Sequence, residues 1–459
     1  MPPKPANVRQ LASDIAIKAT RSDRFLEDVL DNVLDSPQGQ ALDDRDRRLL
    51  RELVLGSCRR QVTLDHIIAH YASRPLDKIY PPLLEVLRQG VYQLIYLERV
   101  PPHAAVNEAV ALAASLGHAS QGGFANAILR AVSRAMDTEG PSLAILPTST
   151  RLVHFGDAIL PDPAQDLAGY LSVIGSIPRE MIERWLARWS ANTIQQITDA
   201  ANLVPSVFVH PNALRTNPDT LARVLVQDHR ELVKSEDGKF FRIQPTDGLP
   251  KLAAFAKGLF WVMDPASTRA VVALQVAPGQ SVLDLCSAPG SKTALIAEQM
   301  GNVGRIVAVD VAGHRLKLVR ENIDRLGLAI VTTVVADGRL ADTIIHEQFD
   351  RVLVDVPCSN TGVLARRVQA RHRFRPERLV ELSGLQLELL LAGFRMLRPG
   401  GRLVYSTCSL ETEENEDVVA SAARDNVDLK VESSRTYLPE AGVGDGGFVA
   451  VIAKGRAEG

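Results

Sequence analysis

Over the first third of the chain, large apolar side chains return every three or four positions. Leu83, Leu84, Leu87, Val91, Leu94 and Ile95 fall on one helical face. No strand-like alternation appears between residues 7 and 136, which predicts an all-helical segment, broken at Pro101-Pro102 and restarted after Gly122-Gly123 as a helix over residues 124–135. Residues 137–151 are rich in Gly, Pro, Ser and Thr and predict a linker. Residues 178–259 mix periods: a helix bearing Trp185 and Trp189 four apart as core residues, a strand over 206–210 and a helix over 219–227. From about residue 260 the pattern becomes short apolar runs at 282–285, 305–309, 331–335, 351–354 and 402–405, each separated by a helix-length spacer. That is the pattern of a doubly wound parallel sheet, which binds ligands at the carboxyl ends of its strands. The expectation is a multidomain protein: residues 1–140 all-α, 141–259 a linker with a small α+β domain, and 260–459 a Rossmann-like α/β domain.

Charge narrows the partners. Lys plus Arg number 52 against 54 for Asp plus Glu, so no global positive field holds a nucleic acid and any such surface has to be local. Cys58, Cys286, Cys358 and Cys408 lie far apart, at no spacing suited to zinc or a redox disulfide, which predicts a reducing compartment and no metal. The first residues lack the apolar centre of a signal peptide and no run reaches membrane-spanning length, so a cytoplasmic, soluble protein is expected.

The first strand of the last segment runs into Asp284-Leu285-Cys286-Ser287-Ala288-Pro289-Gly290-Ser291-Lys292-Thr293. Small residues there admit a ligand close to the backbone, and the free amides of the following helix favour a carboxylate. Any strand-to-helix turn favours Gly and Ser, so the loop alone does not decide. Asp310, Asp337 and Asp355 end three further strands. Each by itself is equally readable as a helix cap; together they suit a nucleoside cofactor with amino and hydroxyl donors, because burying them without a ligand is costly.

Two cysteines follow strands, in Asp355-Val356-Pro357-Cys358-Ser359-Asn360-Thr361-Gly362 and in Tyr405-Ser406-Thr407-Cys408-Ser409. Structural cysteines lie inside apolar runs; these sit among hydroxyl and proline residues, side by side if their strands are neighbours. Carbon 5 of cytosine is too poor a nucleophile to take a methyl group until a thiolate adds at carbon 6. Asp355 stands where a carboxyl group would assist at ring nitrogen 3, and a base must later remove the carbon 5 proton.

These motifs make the chain similar to the RNA 5-methylcytosine methyltransferase family, in its bacterial RsmB/Sun/Fmu branch, over nearly its whole length. The resemblance implies S-adenosylmethionine as methyl donor, Cys408 as nucleophile and Cys358 as the residue that aids product release, with Lys292 also reaching the site; spacing alone leaves the roles of the two cysteines open. It implies cofactor contacts from Cys286, Ser287, Ala288, Pro289, Gly290, Ser291, Lys292, Asp310, Arg315, Asp337 and Asp355. Residues 46–60, 87–113 and Phe124-Ala125-Asn126-Ala127-Ile128-Leu129-Arg130 resemble a NusB-type RNA-binding fold, with Arg59 and Arg60 as expected RNA contacts. Two stretches depart from the family pattern: Met263, where relatives tend to carry Gln, and residues 366–374 in place of a His-Pro-Asp stretch. The second is also the clearest basic patch, with Arg366, Arg367, Arg371 and Arg373 as expected phosphate contacts. Small-subunit ribosomal RNA is the implied substrate. The rivals are a noncatalytic RNA-binding or antitermination protein and a DNA cytosine methyltransferase, which uses the cysteine of the Pro-Cys turn.

Overall fold

The structure, a computed structural model, describes residues 7–455 apart from 22–23, 118, 137–141 and 149. It divides into two compact units, Met1–Leu203 with Leu364–Arg373, and Val204–Val363 with Phe374–Gly459.

The first unit opens with the helix Val8–Thr20, whose first turn is capped by Asn7 accepting from the amides of Arg9 and Gln10. The apolar face read from the sequence forms the helix Pro81–Tyr96, which buries Leu83, Leu87, Val91, Leu94 and Ile95. The next helix, Pro102–Ser115, starts at the second proline of the pair. Gly122 and Gly123 do not precede the following helix; they lie inside it, in Ala119–Met136. The reason is close packing: a Cβ on Gly122 would stand 3.1 Å from the Ala114 methyl, so the small residue lets two helices approach.

The stretch expected as a linker lies partly outside the described residues, but its second half is a hairpin, β1 (Ala144–Pro147) paired antiparallel with β2 (Leu152–Phe155). Ala144, Leu146, Val153 and Phe155 alternate into the helical core, a pattern too short to stand out against the polar residues around it. The helices Leu167–Gly175, Arg179–Leu186 and Ala191–Asn202 also belong to this unit. Thr63 Oγ1 donates to the Val173 carbonyl at 2.6 Å, tying them to the front helices. Trp185 is buried; Trp189 lies beyond the helix end, with its ring edge-on 6.5 Å from that of Trp185.

The second unit holds two sheets. β3 (Phe208–Pro211), β4 (Glu231–Lys234), β5 (Phe241–Gln244) and β6 (Phe260–Val262) form an antiparallel sheet in the order β4-β5-β3-β6. β7 (Ser281–Asp284), β8 (Arg305–Asp310), β9 (Val331–Val335), β10 (Phe349–Asp355), β11 (Leu397–Thr407), β12 (Leu429–Tyr437) and β13 (Gly447–Lys454) form the larger one, in the order β12-β13-β11-β10-β7-β8-β9. Its five central and far strands are parallel, as the alternating runs predict, while β13 enters antiparallel between β11 and β12. Successive side chains face opposite cores. Leu283, Val307, Val352 and Leu403 pack on one side, and Val282, Ile306, Leu353 and Val404 on the other, so both faces are covered.

Candidate active site

The sheet order brings β10 and β11 together in parallel, with Asp355 opposite Ser406. Three residues beyond Asp355 and two beyond Ser406, Cys358 and Cys408 face each other with their sulfurs 2.9 Å apart. The hydrogen bond with Cys408 first, and then burial, push the Cys358 thiol well above its usual range, which favours its neutral form. Cys408 Sγ also lies 3.1 Å from Asn360 Oδ1, and the Asn360 amide donates to the Cys358 carbonyl at 2.9 Å. Asn360 occupies the left-handed region (φ 64°), where a short amide side chain bends back on its own turn.

Lys292 Nζ donates to Asp355 Oδ2 at 2.5 Å, and Ser406 Oγ to the other oxygen at 2.6 Å. Burial would lower the Lys292 ammonium, but the Asp355 carboxylate outweighs it and holds the lysine above its ordinary value. A fixed positive group therefore stands in the site with the two sulfurs.

Beneath the cysteines lies a residue that the sequence reading missed. The fully buried Glu414 accepts from the Ser359 amide at 2.8 Å, from Gln386 Nε2 at 2.9 Å and from the hydroxyls of Ser359 and Ser409. One carboxylate thus ties together the residues that follow each cysteine. The only sequence signal for it was an acidic run, Glu411 to Glu414 with Thr412, that reads as surface.

The loop expected to hold the cofactor wraps the carboxyl ends of β7 and β8. Asp310 is buried; its oxygens accept from the amides of Ala288 at 3.2 Å and Ala312 at 2.9 Å. Arg315 Nη2 donates to the Ala288 carbonyl at 2.9 Å, so it braces the loop. Gly290 turns the chain at φ 100° into the helix Ser291–Gln299, which has no side-chain cap, leaving its first amides free for an acceptor. Burial, then neighbouring Asp355, drives the Cys286 thiol well above its usual range, which makes it an inert lining residue. Asp337 is held by Arg339, with Arg339 Nη2 2.6 Å from Oδ2.

Asp355, on β10, and Asp310, on β8, are not on adjacent strands; β7 lies between them and ends in Asp284. Asp284 therefore completes the acidic row, although in the sequence it stands only as the first residue of the loop. It is 1% exposed; Oδ2 accepts from Thr293 Oγ1 at 2.6 Å, while among the described residues neither Oδ1 nor the buried Ser287 hydroxyl nearby in the loop has a hydrogen-bond partner. Burial pushes the Asp284 carboxyl up to about 7. Orphaned acceptors beside free helix amides suit a cofactor that carries both an ammonium and a carboxylate, and the methionine moiety of S-adenosylmethionine carries both.

The expected RNA contacts need correction at three positions. Arg371 is completely buried: its guanidinium donates to the carbonyls of Arg59 (2.8 Å), Ser176 (3.0 Å), Ala201 (2.9 Å) and Leu364 (3.3 Å) and to Asn202 Oδ1 (3.1 Å). Arg59 and Arg60 are buried as well, Arg60 over the Tyr96 ring. The Arg371 donors serve the fold of the first unit, and burial leaves Arg59 and Arg60 little surface for a phosphate. Arg366, Arg367 and Arg373 keep partial exposure; Arg367 and Arg373 both lie over the Phe25 ring.

A doubly wound sheet with an acidic row, a small-residue loop and a capless helix at its carboxyl edge defines an S-adenosylmethionine-dependent methyltransferase. The family model described as 16S rRNA methyltransferase RsmB/F matches residues 271–452, and that of the NusB family matches residues 6–134. Ribosomal RNA small subunit methyltransferase B of Sodalis glossinidius is 31% identical over 427 residues, covering 91% of this chain and 92% of the relative; that of Klebsiella pneumoniae is 30% identical and covers 99% of both. The chain belongs to this family of rRNA methyltransferases. The crystal structure of PH0851 shares the fold, with a TM-score of 0.76 at 24% identity, covering 99% of this chain and 100% of the other.

Proposed function

We propose that this rRNA methyltransferase acts on carbon 5 of a cytosine in small-subunit ribosomal RNA, through a covalent bond between Cys408 and the base. The observation that carries this reading is the 2.9 Å approach of two cysteine sulfurs beside the Lys292–Asp355 pair. The Cys408 sulfur adds to carbon 6, and the Lys292–Asp355 pair meets the charge that develops towards nitrogen 3. Bound S-adenosylmethionine supplies the electrophilic methyl group to carbon 5. The carbon 5 proton leaves to a water molecule that the neutral Cys358 thiol orients; the ring electrons then re-form the 5,6 double bond and expel the Cys408 sulfur as a thiolate. Cys286 to Ser291 with Asp284, Asp310, Arg315 and Asp337 hold the cofactor, and Arg366, Arg367 and Arg373 are the phosphate contacts retained from the basic stretch. We place the activity in the cytoplasm; among the described residues no helix is long and apolar enough to cross a membrane.

The test is adduct trapping. Cys358→Ala incubated with small-subunit rRNA and S-adenosylmethionine is expected to accumulate a denaturation-resistant protein–RNA band, and Cys408→Ala to give none. The reverse pattern assigns Cys358 as nucleophile, as in DNA cytosine methyltransferases; neither band, with no methyl transfer by the wild type, refutes the covalent reading.

A further inference from the structure

Tyr437 closes β12 and carries two guanidiniums on its ring, Arg269 at 4.3 Å and Arg435 at 4.8 Å from the centroid. Arg269 is tethered, donating to the Asp445 carbonyl at 3.2 Å, and it feels the carboxylates of Asp264 and Asp445. Arg435 is exposed, and its side chain makes no hydrogen bond among the described residues. Two cations on one ring repel each other, and an anion at Arg435 relieves that repulsion.

The position of this stack relative to the reacting sulfurs follows from the sheet. β12 and β11 both run antiparallel to β13, so they are parallel to each other, and Tyr437 emerges at the same edge as Cys408. Tyr437 pairs with Gly447, and the next residue, Phe448, pairs with Thr407. Two strand spacings therefore separate Tyr437 from the nucleophile's turn, about 10 Å. The intervening loop is fastened to the catalytic turn: the Gly446 amide donates to the Gly362 carbonyl at 2.9 Å, and the Gly362 amide to the Cys408 carbonyl at 2.9 Å. That separation is on the scale of a neighbouring nucleotide in an RNA strand.

We propose that Arg435, held against the Tyr437 ring beside Arg269, is a seat for a phosphodiester of the RNA strand close to the target base. This rests on the RNA-methyltransferase reading and assigns a backbone contact on the opposite flank of the catalytic sheet from the cofactor. Arg435 supplies the phosphate-binding fork, Tyr437 holds its plane, and Arg269 is a positioning residue.

The test uses the full-length protein, an in vitro transcript of small-subunit rRNA, and radiolabelled S-adenosylmethionine. Arg435→Ala and Tyr437→Leu are each expected to weaken RNA binding about tenfold and raise KM for RNA, leaving the cofactor Kd within about twofold of wild type. For Arg435→Ala the slope of log Kd against log salt is expected to fall by about one phosphate, and Arg435→Lys to restore it. Cofactor binding confirms that each variant is folded. Unchanged RNA affinity and salt slope in Arg435→Ala overturn the proposal. A wild type that binds the transcript but transfers no methyl group refutes the catalytic reading instead, and the salt-slope comparison still decides the seat.

Discussion

At the scale of single residues, Asp284 and Glu414 show two uses of a buried carboxylate. The Asp284 carboxyl rises from an ordinary 3.8 to about 7 because burial penalises its charge. The folded protein thus holds that proton more tightly than the unfolded chain. Its contribution to stability is fully present below about 4, is lost as pH rises through about 7, and above that the buried charge costs about 4 kcal/mol. Asp284→Asn without cofactor is therefore expected to melt higher than wild type at pH 8 and to lose that advantage at pH 4, while binding S-adenosylmethionine more weakly; calorimetry across pH and a cofactor titration check both. Glu414 has four donors directed at it, so Glu414→Gln places an amide NH2 against them. We expect turnover to fall about 10- to 100-fold with cofactor affinity unchanged, and Glu414→Asp to recover part of it, as steady-state kinetics would show. Unchanged kcat would mean that the two turns hold their places without the shared carboxylate.

At the scale of elements, Arg371 is a buried cation with helix ends for partners. Its hydrogen bonds reach the Arg59 carbonyl, the last residue of the short helix Ser57–Arg59; Ser176, which caps Leu167–Gly175; and Ala201 and Asn202, which end Ala191–Asn202. The negative ends of helices offset part of the cost of burying the charge. Burial first, then Arg59, pulls the guanidinium down to about 9, which shows how little anionic compensation it has. Arg371→Lys cannot span these carbonyls, and a loss of about 2–4 kcal/mol is expected, measured as a lower denaturant midpoint. Gly362 limits another pair of elements, since a Cβ there would lie 2.7 Å from the Gly446 carbon and 2.9 Å from the Cys408 carbonyl oxygen. Gly362→Ala should displace the Cys408 turn and abolish methyl transfer while sparing cofactor binding.

At the scale of the molecule, the first unit reclaims ten residues, Leu364–Arg373, from within the catalytic sequence. Leu364, Val368 and Arg371 are almost completely buried, and Val368 packs in the core of the first unit. A fragment spanning residues 204–459 would keep the whole cofactor loop but expose that apolar segment. It is expected to bind S-adenosylmethionine yet aggregate on size-exclusion chromatography, and substituting Leu364 and Val368 with Ser should restore a monodisperse peak.

What the sequence by itself determined was whatever local period and chain order carry. Amphipathic repeats placed the long helices, β-branched runs placed β7 to β11, and residues just past each run marked the two cysteine turns and the cofactor loop. Tertiary structure decided the rest, because side-chain roles depend on neighbours remote in sequence. Asp284 joined the acidic row only when β7 came to lie between β10 and β8; Glu414 became a clamp only when two cysteine turns closed over it. A run of arginines reads as a surface until helix ends gather around one of them, since linear order specifies charge but not which carbonyls will surround it.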